Sequence, residues 1–455
     1  MLLSVLLACG STSTEPPDQG FAECGVAEAS EAPKTVLLFT VDTVNEAWLR
    51  DATYPAAPAH QRIFDEGVVL ANTICTRGVT IESLPTIATG TYRRTHGVGG
   101  TDLPEHMPPM VQEYYQGAGY RTLGYSSNFC DVIEQRGWDR FECTGPGRTE
   151  GSDLERDSAL IESALEEIAA AGDQDLFLWI HLRDPHVTYS ARSPWIDDFW
   201  GDRPRLGPIT SSQVSAYMLG KEEEPEGFDE WLEVVYATQI ASTDAMLLEL
   251  IDALEAVGRW DDAIVVTGTD HGEELGAHHG YYLHGCSPYG SVLDTTFGVR
   301  APTLGPAVVE TPVSTADVLP TLLCLSGLEP DAAVEGHNLG PLMRGETTER
   351  GPVFFEREAA AAGVYVDGRK YFMQGDDTPF RGCVPYNLEG EYPGPIEALW
   401  DLSVDPGEET NLIGSQDVSA ERSLICEWVT EKTWTTEERD EQNPLVQTCR
   451  EHLAR

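Results

Sequence analysis

Three groups of aspartate and histidine side chains follow three apolar runs of this 455-residue sequence. Carboxylate oxygens and imidazole nitrogens are common metal ligands, and imidazole also transfers protons near neutral pH. One aspartate after a strand means little, but three such groups together predict a metal and proton-transfer site. The residues are Asp42 after the first run, Asp184 and His186 after the second, and Asp270 and His271 after the third.

The apolar runs at 35–41, 176–181 and 263–269 have the character of buried parallel strands, because none alternates between apolar and polar residues. Helical patterns at 158–171 and 231–257 lie between them. This order predicts an α/β fold with a mixed, mostly parallel central sheet sandwiched by helices. Ligands of such sheets bind beyond the carboxyl ends of the strands, so the three groups should meet at one edge.

The sequence predicts three parts. Residues 1–32 form an N-terminal signal and flexible tether, 33–345 a catalytic α/β domain, and 346–455 a smaller C-terminal α+β subdomain. In the last part the pattern changes to short strand-like pieces and a final helix at 420–432. The segment 201–229, rich in Gly, Pro and acidic residues, predicts a long surface loop or lid.

The formal net charge of −47 argues against nucleic acid as a partner, because polyanions are bound by clustered Lys and Arg. A small anionic substrate is still compatible with this charge. Exposed charges are screened beyond about 8 Å at physiological salt, so a bound metal can dominate its own cleft. The acidic surface itself is best explained by solubility or salt.

The N-terminus carries a short apolar run that ends in Leu-Leu-Ala-Cys at Cys9. This run resembles a bacterial lipoprotein signal, in which Cys9 would carry lipid, and the alternative is a plain cleaved signal peptide. Either predicts a protein of the cell envelope, the periplasm or the extracellular space. Membrane contact is expected only through the lipid on Cys9.

Ten cysteines fit an exported protein with disulfides. Cys130 with Cys143 and Cys426 with Cys449 are the local pairs that we expect. Neither pair has the CxxC spacing of a structural zinc site.

Several longer motifs follow one another between residues 34 and 412. They include VDTVNEAWLRD at the first strand, TIESLPTIATG at 80–90 followed by His96-Gly97, DPHVTY at 184–189, TDHGEELGAHHGYYLHG at 269–285 and, later, LWDLSVDPGEETNL. In this order they resemble the sulfatase-like hydrolases of the alkaline phosphatase superfamily. The resemblance covers most of the chain and implies a metal-dependent ester hydrolase.

The nucleophile position departs from the sulfatase pattern. Sulfatases oxidise a Cys or Ser of a Cys/Ser-x-Pro-x-Arg motif to formylglycine. Ten positions before Gly90 stands Thr80, with Glu82 and Leu84 at the Pro and Arg positions. Thr cannot become formylglycine, and phosphodiesterase branches of the superfamily use Thr at this spacing. A gapped alignment would put Ser83 there instead, and Thr80 could also be an ordinary residue at the start of a helix over 83–91.

By this resemblance, Asp42, Thr80, Asp270 and His271 hold one divalent metal ion. The mixed oxygen and nitrogen ligands suit Zn²⁺ or Mn²⁺, and Ca²⁺ is a third option. Thr43 stands where calcium enzymes of the family often carry a second Asp, which disfavours Ca²⁺. A second metal would need a further set such as Asp184, His186 and His284, whose spacing fits poorly.

Further site residues also follow from the resemblance. His186 and His284 are the candidates for proton transfer. Asn128, which replaces the Lys and His of sulfatases, His278 and Lys370 are candidates for substrate binding. For His278 the alternative is a brace of its loop, and for Lys370 a structural role.

The sequence therefore predicts hydrolysis of a phosphate ester, a diester or a monoester, through a covalent Thr80 intermediate. Sulfate ester hydrolysis is the second interpretation. A phospho-alcohol transferase of the envelope and a non-catalytic envelope binding protein remain as further alternatives. The expected partner is a small anionic ester or an envelope-derived substrate.

Overall fold

A computed structural model of the protein describes residues 24, 32–45, 57–100, 103–133, 136–145, 148–285, 287–357, 360–375, 394–431 and 443–454. Cys9 and nearly all of the predicted segment 1–32 lie outside these residues. The described chain forms a large sheet with helices on both faces and a smaller antiparallel sheet.

The large sheet is mixed and mostly parallel, as predicted. Within the described residues, nine strands form it in the order β4-β3-β5-β1-β6-β7-β2-β8, with β9 also beside β2. Among these described strands, only the pairs of β7 with β6 and β2 are antiparallel. These strands are β1 (Thr35–Val41), β2 (Val68–Ile74), β3 (Arg121–Ser126), β4 (Arg140–Cys143), β5 (Leu176–Leu182), β6 (Ile264–Thr269), β7 (Asp294–Arg300), β8 (Ala307–Val309) and β9 (Val313–Ser314).

The central strands are apolar at every position because both faces of the sheet are covered. In β1, Leu37 and Phe39 pack into the core on one face, and Val36 and Leu38 pack into the core on the other. All four side chains are completely buried. Successive strand side chains point to opposite faces, so a doubly covered strand needs a continuous apolar run.

Helices lie between the strands, and the two predicted patterns at 158–171 and 231–257 correspond to α6 and α9. Both helices begin earlier than predicted; α6 starts after Ser152, whose hydroxyl and Glu155 form a capping box. The helices are α1 (Pro58–Glu66), α2 (Thr80–Thr89), α3 (Arg93–His96), α4 (Val111–Gly117), α5 (Cys130–Ile133), α6 (Asp153–Ala170), α7 (Trp195–Trp200), α8 (Ser211–Met218), α9 (Phe228–Ala256), α10 (Gly290–Leu293), α11 (Val318–Leu325), α12 (Gly340–Met343), α13 (Ser419–Glu431) and α14 (Pro444–Leu453).

Helix α2 begins three residues before the predicted start at Ser83. Val79 is extended and precedes the helix, so Thr80 is the first helical residue. The helix ends at Gly90, whose φ of 64° is left-handed and favours glycine. The predicted continuation to residue 91 is therefore wrong.

Helix α9 is long and apolar enough to cross a membrane by length and composition. However, 78% of its most apolar window is buried inside the protein. Its side chains, among them Trp231, Leu247 and Leu250, pack into the core on one face of the large sheet. It is therefore the central helix of this layer.

The segment 201–229 contains regular structure, whereas the sequence predicted a loop. Helix α8 lies inside it, and a capping box of Thr210 and Gln213 starts this helix. The acidic stretch after α8 is fastened by the Tyr282 hydroxyl, which donates to Glu224 at 2.6 Å. The segment thus packs onto the stretch that precedes His284.

The smaller sheet is antiparallel in the order β10-β11-β12-β13. Its first three strands contain the predicted strand pieces. Helices α13 and α14 cover one face, where Ile425 and Leu445 pack against Val364 and Leu399. The division of the chain at 345/346 stays a prediction. The strands are β10 (Val353–Arg357), β11 (Ala361–Val366), β12 (Arg369–Gln374) and β13 (Glu397–Asp401).

Both predicted disulfides are present, Cys130–Cys143 and Cys426–Cys449. A third disulfide joins Cys24 to Cys324, 300 residues apart. Among the cysteines that the structure describes, Cys75 is a free, buried thiol.

Candidate metal and active site

Strands β1, β5 and β6 end at the same level of the large sheet. Val41 is in register with Leu182 of β5 and with Thr269 of β6. The amide of Asp42 donates to the Leu182 carbonyl at 2.9 Å, so the chain is still hydrogen-bonded where it leaves the sheet. The three groups of polar residues therefore meet at one edge.

Asp42, Asp270 and His271 form a compact cluster at this edge. Each offers a ligand atom, these atoms lie within 4.8 Å of one another, and all three residues are buried. Nε2 of His271 lies 3.7 Å from Asp42 Oδ1 and 3.5 Å from Asp270 Oδ2. The other oxygen of Asp270 accepts the amide N–H of Thr43 at 3.3 Å and of His271 at 2.9 Å, which turns Oδ2 toward the cluster.

The charges of this cluster fit a cation. Burial, followed by the charge of Asp270, raises the pKa of Asp42 to about 7. Burial also raises the pKa of Asp270 to about 7. Among the described residues, no Lys or Arg forms an ion pair with either carboxylate. Two buried acids without a direct ion pair to Lys or Arg are costly, and a divalent ion would offset that cost.

His271 is neutral and presents a lone pair to the cluster. Its Nδ1–H donates to the Gly272 carbonyl at 2.9 Å, and Nε2 is therefore the unprotonated nitrogen. Burial, aided by the charge of His284, lowers the pKa of His271 to about 4. A backbone carbonyl that fixes the tautomer in this way is typical of histidine metal ligands.

The Thr80 hydroxyl lies inside the cluster. Its Oγ1 is 3.3 Å from Asp42 Oδ1 and 3.2 Å from His271 Nε2. Thr80 is 1% exposed and opens helix α2, whose N-terminal dipole favours an anion at this point. The hydroxyl is thus held where an anionic group and a cation would both be stabilised.

Ser83, the alternative nucleophile, lies one turn further along α2 and is also buried. Its hydroxyl donates to Asp270 Oδ2 at 3.3 Å. Thr80 therefore contacts Asp42 and His271, whereas Ser83 contacts the third member of the cluster. The structure brings both hydroxyls to the site.

His186 and His284 lie next to each other beside the cluster. The ring of His284 is 4.5 Å from that of His271 and 5.2 Å from that of His186. Nδ1–H of His186 donates to the Val187 carbonyl at 2.7 Å, and Nδ1 of His284 is 3.0 Å from a Glu273 oxygen. Burial lowers the pKa of His284 to about 4 and that of His186 well below its ordinary value.

Asn128 connects the cluster to a cation that the sequence did not single out. Its Nδ2 donates to Asp42 Oδ2, and its Oδ1 accepts from Arg183 at 3.3 Å. Arg183 also donates to the Val187 carbonyl at 2.7 Å, and its charge lowers the pKa of Asp42 and of both nearby histidines. The signal for Arg183 was its position directly after β5, beside Asp184.

Asp184 is not part of the cluster, although it follows the same strand. It pairs with Arg192, whose Nε is 2.7 Å from Oδ2, and it accepts from Gln239 at 2.9 Å. Both carboxylate oxygens are therefore occupied by donors. A second-metal set that includes Asp184 gains no support from this geometry.

The contacts of His278 and Lys370 lie elsewhere. His278 bridges Glu274 at 2.9 Å and the Gly407 carbonyl at 3.1 Å. Lys370 is fully buried and lies 2.6 Å from Glu408. The structure therefore does not bring these two predicted substrate residues to the cluster, and their role in substrate binding stays a prediction.

The chain is similar in sequence to sulfatases. A family model described as Sulfatase matches residues 34–328. The Ulvan-active sulfatase of Formosa agariphila is 26% identical over 267 residues, which cover 57% of this chain. They cover only 48% of that protein, so the chain spans about half the length of this relative.

Solved structures share the fold. An enzyme in complex with its substrate D-glucosamine-2-N,6-O-disulfate superimposes with a TM-score of 0.69 at 15% identity, covering 91% of this chain and 99% of that one. The phosphonate monoester hydrolase of Agrobacterium radiobacter gives 0.65 at 20% identity, covering 88% and 93%. At these identities the likeness shows a common fold. One of the two proteins has a sulfated sugar as its substrate, and the other is a phosphonate monoester hydrolase.

Proposed function

The chain belongs to the sulfatase family, and within that family we propose that it is a metal-dependent hydrolase cleaving a phosphate diester or monoester through a covalent intermediate on Thr80. The observation that carries the proposal is the position of Thr80 Oγ1, 3.3 Å from Asp42 Oδ1 and 3.2 Å from His271 Nε2. A hydroxyl beside metal-ligand side chains is the arrangement in which an alcohol becomes nucleophilic.

Asp42, Asp270, His271 and the Thr80 hydroxyl would hold one divalent cation. Two carboxylates with one imidazole suit Zn²⁺ or Mn²⁺, and Ca²⁺ remains the third option. When bound, the cation would lower the pKa of the Thr80 hydroxyl and offset the charge of the ester.

In the first step Thr80 Oγ1 attacks phosphorus, and the bond from phosphorus to the alcohol oxygen breaks. The Thr80 proton passes to Asp42, whose Oδ1 is the nearest carboxylate oxygen to the hydroxyl. The departing oxygen keeps the electron pair of its bond and takes a proton from Nε2 of His284. The alcohol leaves as a neutral molecule, and Thr80 carries the phosphoryl group.

In the second step water attacks phosphorus from the side that the alcohol has left. Nε2 of His284 accepts a proton from this water, and the bond from Thr80 to phosphorus breaks. Asp42 returns its proton to Thr80, so each residue regains its starting state. His186, 5.2 Å from the His284 ring, is the second candidate for these proton transfers.

The phosphoryl oxygens would bind where positive charge and donors are available. The N-terminus of α2 favours an anion beside Thr80. Arg183 supplies a cation at the same edge and Asn128 orients Asp42. A phosphate is preferred as the substrate group because Thr80 cannot be converted to formylglycine.

Sulfate ester hydrolysis is the second candidate, and the relatives favour it. The Ulvan-active sulfatase and the enzyme bound to a glucosamine disulfate both act on sulfated compounds. Ser83 would then be the residue to modify, since its hydroxyl also reaches the cluster, at Asp270.

We further propose that the protein works outside the cytoplasm. The disulfides at Cys24–Cys324, Cys130–Cys143 and Cys426–Cys449 support this location, because such bonds persist in oxidising compartments. Lipid on Cys9 is part of this proposal and is tested by mass spectrometry of the mature N-terminus.

The proposed function is tested with matched 4-nitrophenyl esters of phosphate, methyl phosphate and sulfate, with Zn²⁺, Mn²⁺ or Ca²⁺ supplied. Rapid acid quenching followed by peptide mass spectrometry should find a phosphoryl group on Thr80. Faster cleavage of the sulfate ester, with an oxidised Ser83 and an unmodified Thr80, would overturn the assignment.

A further inference from the structure

Two adjacent glutamates of the 269–285 motif each bind a histidine of that same motif. Glu273 Oε1 is 3.0 Å from Nδ1 of His284, and Glu274 Oε2 is 2.9 Å from Nδ1 of His278. Both glutamates are fully buried. The ring of His284 lies beside those of His271 and His186, whereas the ring of His278 stacks on Tyr289, so the two pairs have different surroundings and can be compared directly.

The Glu273 carboxylate is held at both oxygens. The Tyr189 hydroxyl donates to Oε2 at 2.9 Å, and Oε1 faces His284. Tyr189 is itself fully buried against Tyr236, at a ring distance of 6.0 Å. The carboxylate therefore has no freedom to turn away from the histidine.

His284 is held by its backbone and by one nitrogen of its ring. The Tyr281 hydroxyl donates to its backbone carbonyl at 3.0 Å, and Glu273 binds Nδ1. No hydrogen bond joins Nε2, on the opposite edge, to another described residue. The ring lies beside those of His271 and His186, so this free nitrogen belongs to the candidate site.

We propose that Glu273 is a positioning residue that holds His284 with Nε2 turned toward the reacting ester. The inference rests on the proposed function, because it requires His284 to protonate the departing alcohol. With one proton in the hydrogen bond between Glu273 and Nδ1, a further proton on the ring can sit only on Nε2. That proton passes to the alcohol oxygen as its bond to phosphorus breaks.

Glu274 provides the internal control. Both ring nitrogens of its partner His278 are occupied, by Glu274 and by the Gly407 carbonyl at 3.1 Å. The ring of His278 also stacks on Tyr289 at 3.8 Å. Glu274→Gln thus makes the same chemical change one residue away, at a pair that leaves no ring nitrogen for proton transfer.

The experiment compares Glu273→Gln with Glu274→Gln on phenyl and 4-nitrophenyl esters of the same acid. Phenolate leaves poorly without a proton, whereas 4-nitrophenolate leaves readily. We expect Glu273→Gln to lower kcat for the phenyl ester by about 10- to 100-fold, the size of effect typical for hydrogen-bonding partners that orient metal-ligating histidines. The 4-nitrophenyl ester should lose less than about threefold, and KM should change little for both. Glu274→Gln should affect both esters equally.

Coupling to His284 is tested in the double variant. In a His284→Gln background, Glu273→Gln should lower kcat for the phenyl ester by less than about twofold, because its effect acts through the lost ring. Tyr189→Phe is a milder change, because it removes only the hydroxyl that binds Glu273. It should also lower kcat more for the phenyl ester than for the 4-nitrophenyl ester, but by a smaller factor. It keeps the test valid if Glu273→Gln does not fold.

A readout without turnover is the proton NMR signal of the ring N–H of His284, identified by its loss in His284→Gln. It should shift in Glu273→Gln and stay unchanged in Glu274→Gln. Equal losses on both esters, or full additivity with His284→Gln, would overturn the inference. Full activity in Thr80→Ala would instead reject the proposed function, so the two failures are distinguishable.

Discussion

The Thr80 hydroxyl oxygen lies 3.2 Å from Nε2 of His271, while the opposite nitrogen of that ring donates to the Gly272 carbonyl. His271 therefore directs a lone pair at the same point that the hydroxyl occupies. With Asp42 and Asp270 on the other sides, this point combines oxygen and nitrogen ligands around one alcohol.

Thr80→Ala should lower kcat by about a thousandfold or more, since loss of a nucleophile removes the covalent route. Thr80→Ser keeps a hydroxyl and should retain activity within about tenfold. The measurement is steady-state hydrolysis of the best 4-nitrophenyl ester, with folding checked by circular dichroism. Ser83→Ala is the matched control and should leave most of the activity, because the Ser83 hydroxyl donates to the Thr80 carbonyl and to Asp270 and contacts neither Asp42 nor His271. The opposite ranking of these variants would favour the gapped alignment.

Asp270→Asn should change thermal stability in opposite directions with and without metal. In metal-free protein it removes a buried acid whose own pKa is raised by burial and whose charge raises the pKa of Asp42, so Tm should rise. With metal present, the wild type should gain about 2.7 kcal/mol at a metal concentration 100 times Kd, and the variant should gain much less. Scanning calorimetry with EDTA or with Zn²⁺ measures both effects. A variant that gains as much from metal as the wild type would count against the site.

The His278 clasp, formed by His278 with Glu274 and the Gly407 carbonyl, should make stability depend on pH. Burial would lower the pKa of His278, but its hydrogen bond to Glu274 and the charge of that carboxylate outweigh burial and raise it above 6.5. A raised pKa means that the bound proton stabilises the fold fully below pH 6.5, and that this contribution is lost as pH rises through the folded pKa.

The free energy of unfolding, measured with urea, should therefore differ more between wild type and His278→Gln at pH 6 than at pH 9. The first pH is about half a unit below the ordinary histidine pKa, and the second is well above it. Besides Glu274, the groups facing His278 are Glu408 and Tyr289. His106→Gln, at an exposed histidine, is the control, and its difference in free energy of unfolding from wild type should be the same at both pH values. A constant gap for His278→Gln would contradict the clasp.

Lys370→Met should destabilise the fold by about 3–5 kcal/mol, because it leaves Glu408 buried without a positive partner. Adding Glu408→Gln should recover part of this loss. Urea unfolding followed by fluorescence measures the free energy of unfolding of both variants. The folded fraction should keep its kcat and KM, and a raised KM with unchanged stability would restore the substrate role predicted from the sequence.

Arg183→Ala should weaken competitive inhibition by inorganic phosphate by about tenfold, which is the usual value of one charge-assisted hydrogen bond. Arg183 is the cation that contacts Asn128 next to Asp42. Arg203→Ala is the control, since Arg203 pairs with Glu230 at the surface. Equal inhibition of all three proteins would exclude Arg183 from the anion site.

Much of this architecture can be predicted from short stretches of the sequence. Runs that are apolar at every position become central strands, and the residues after such strands must meet where the strands end. The positions of Asp42, Asp270 and His271 along the chain are therefore enough to group them. Disulfides between near neighbours, Cys130–Cys143 and Cys426–Cys449, could be paired for the same reason.

Other features depend on packing between distant segments. The pairing of Cys24 with Cys324 joins residues 300 positions apart, and no local pattern encodes it. Helix α2 begins at Thr80 and not at Ser83, which sets the hydroxyl against Asp42 and His271. The start of a helix depends on what its first turn packs against as well as on its own residues.

The histidines of the 269–285 motif show the same division most clearly. The sequence alone determined that His278 and His284 belong to one loop beside the third strand. Only the tertiary structure decided that Glu273 leaves one ring nitrogen of His284 free, while Glu274 and the Gly407 carbonyl occupy both nitrogens of His278. Side-chain direction depends on partners brought by other elements, and the order of residues along one chain does not contain them.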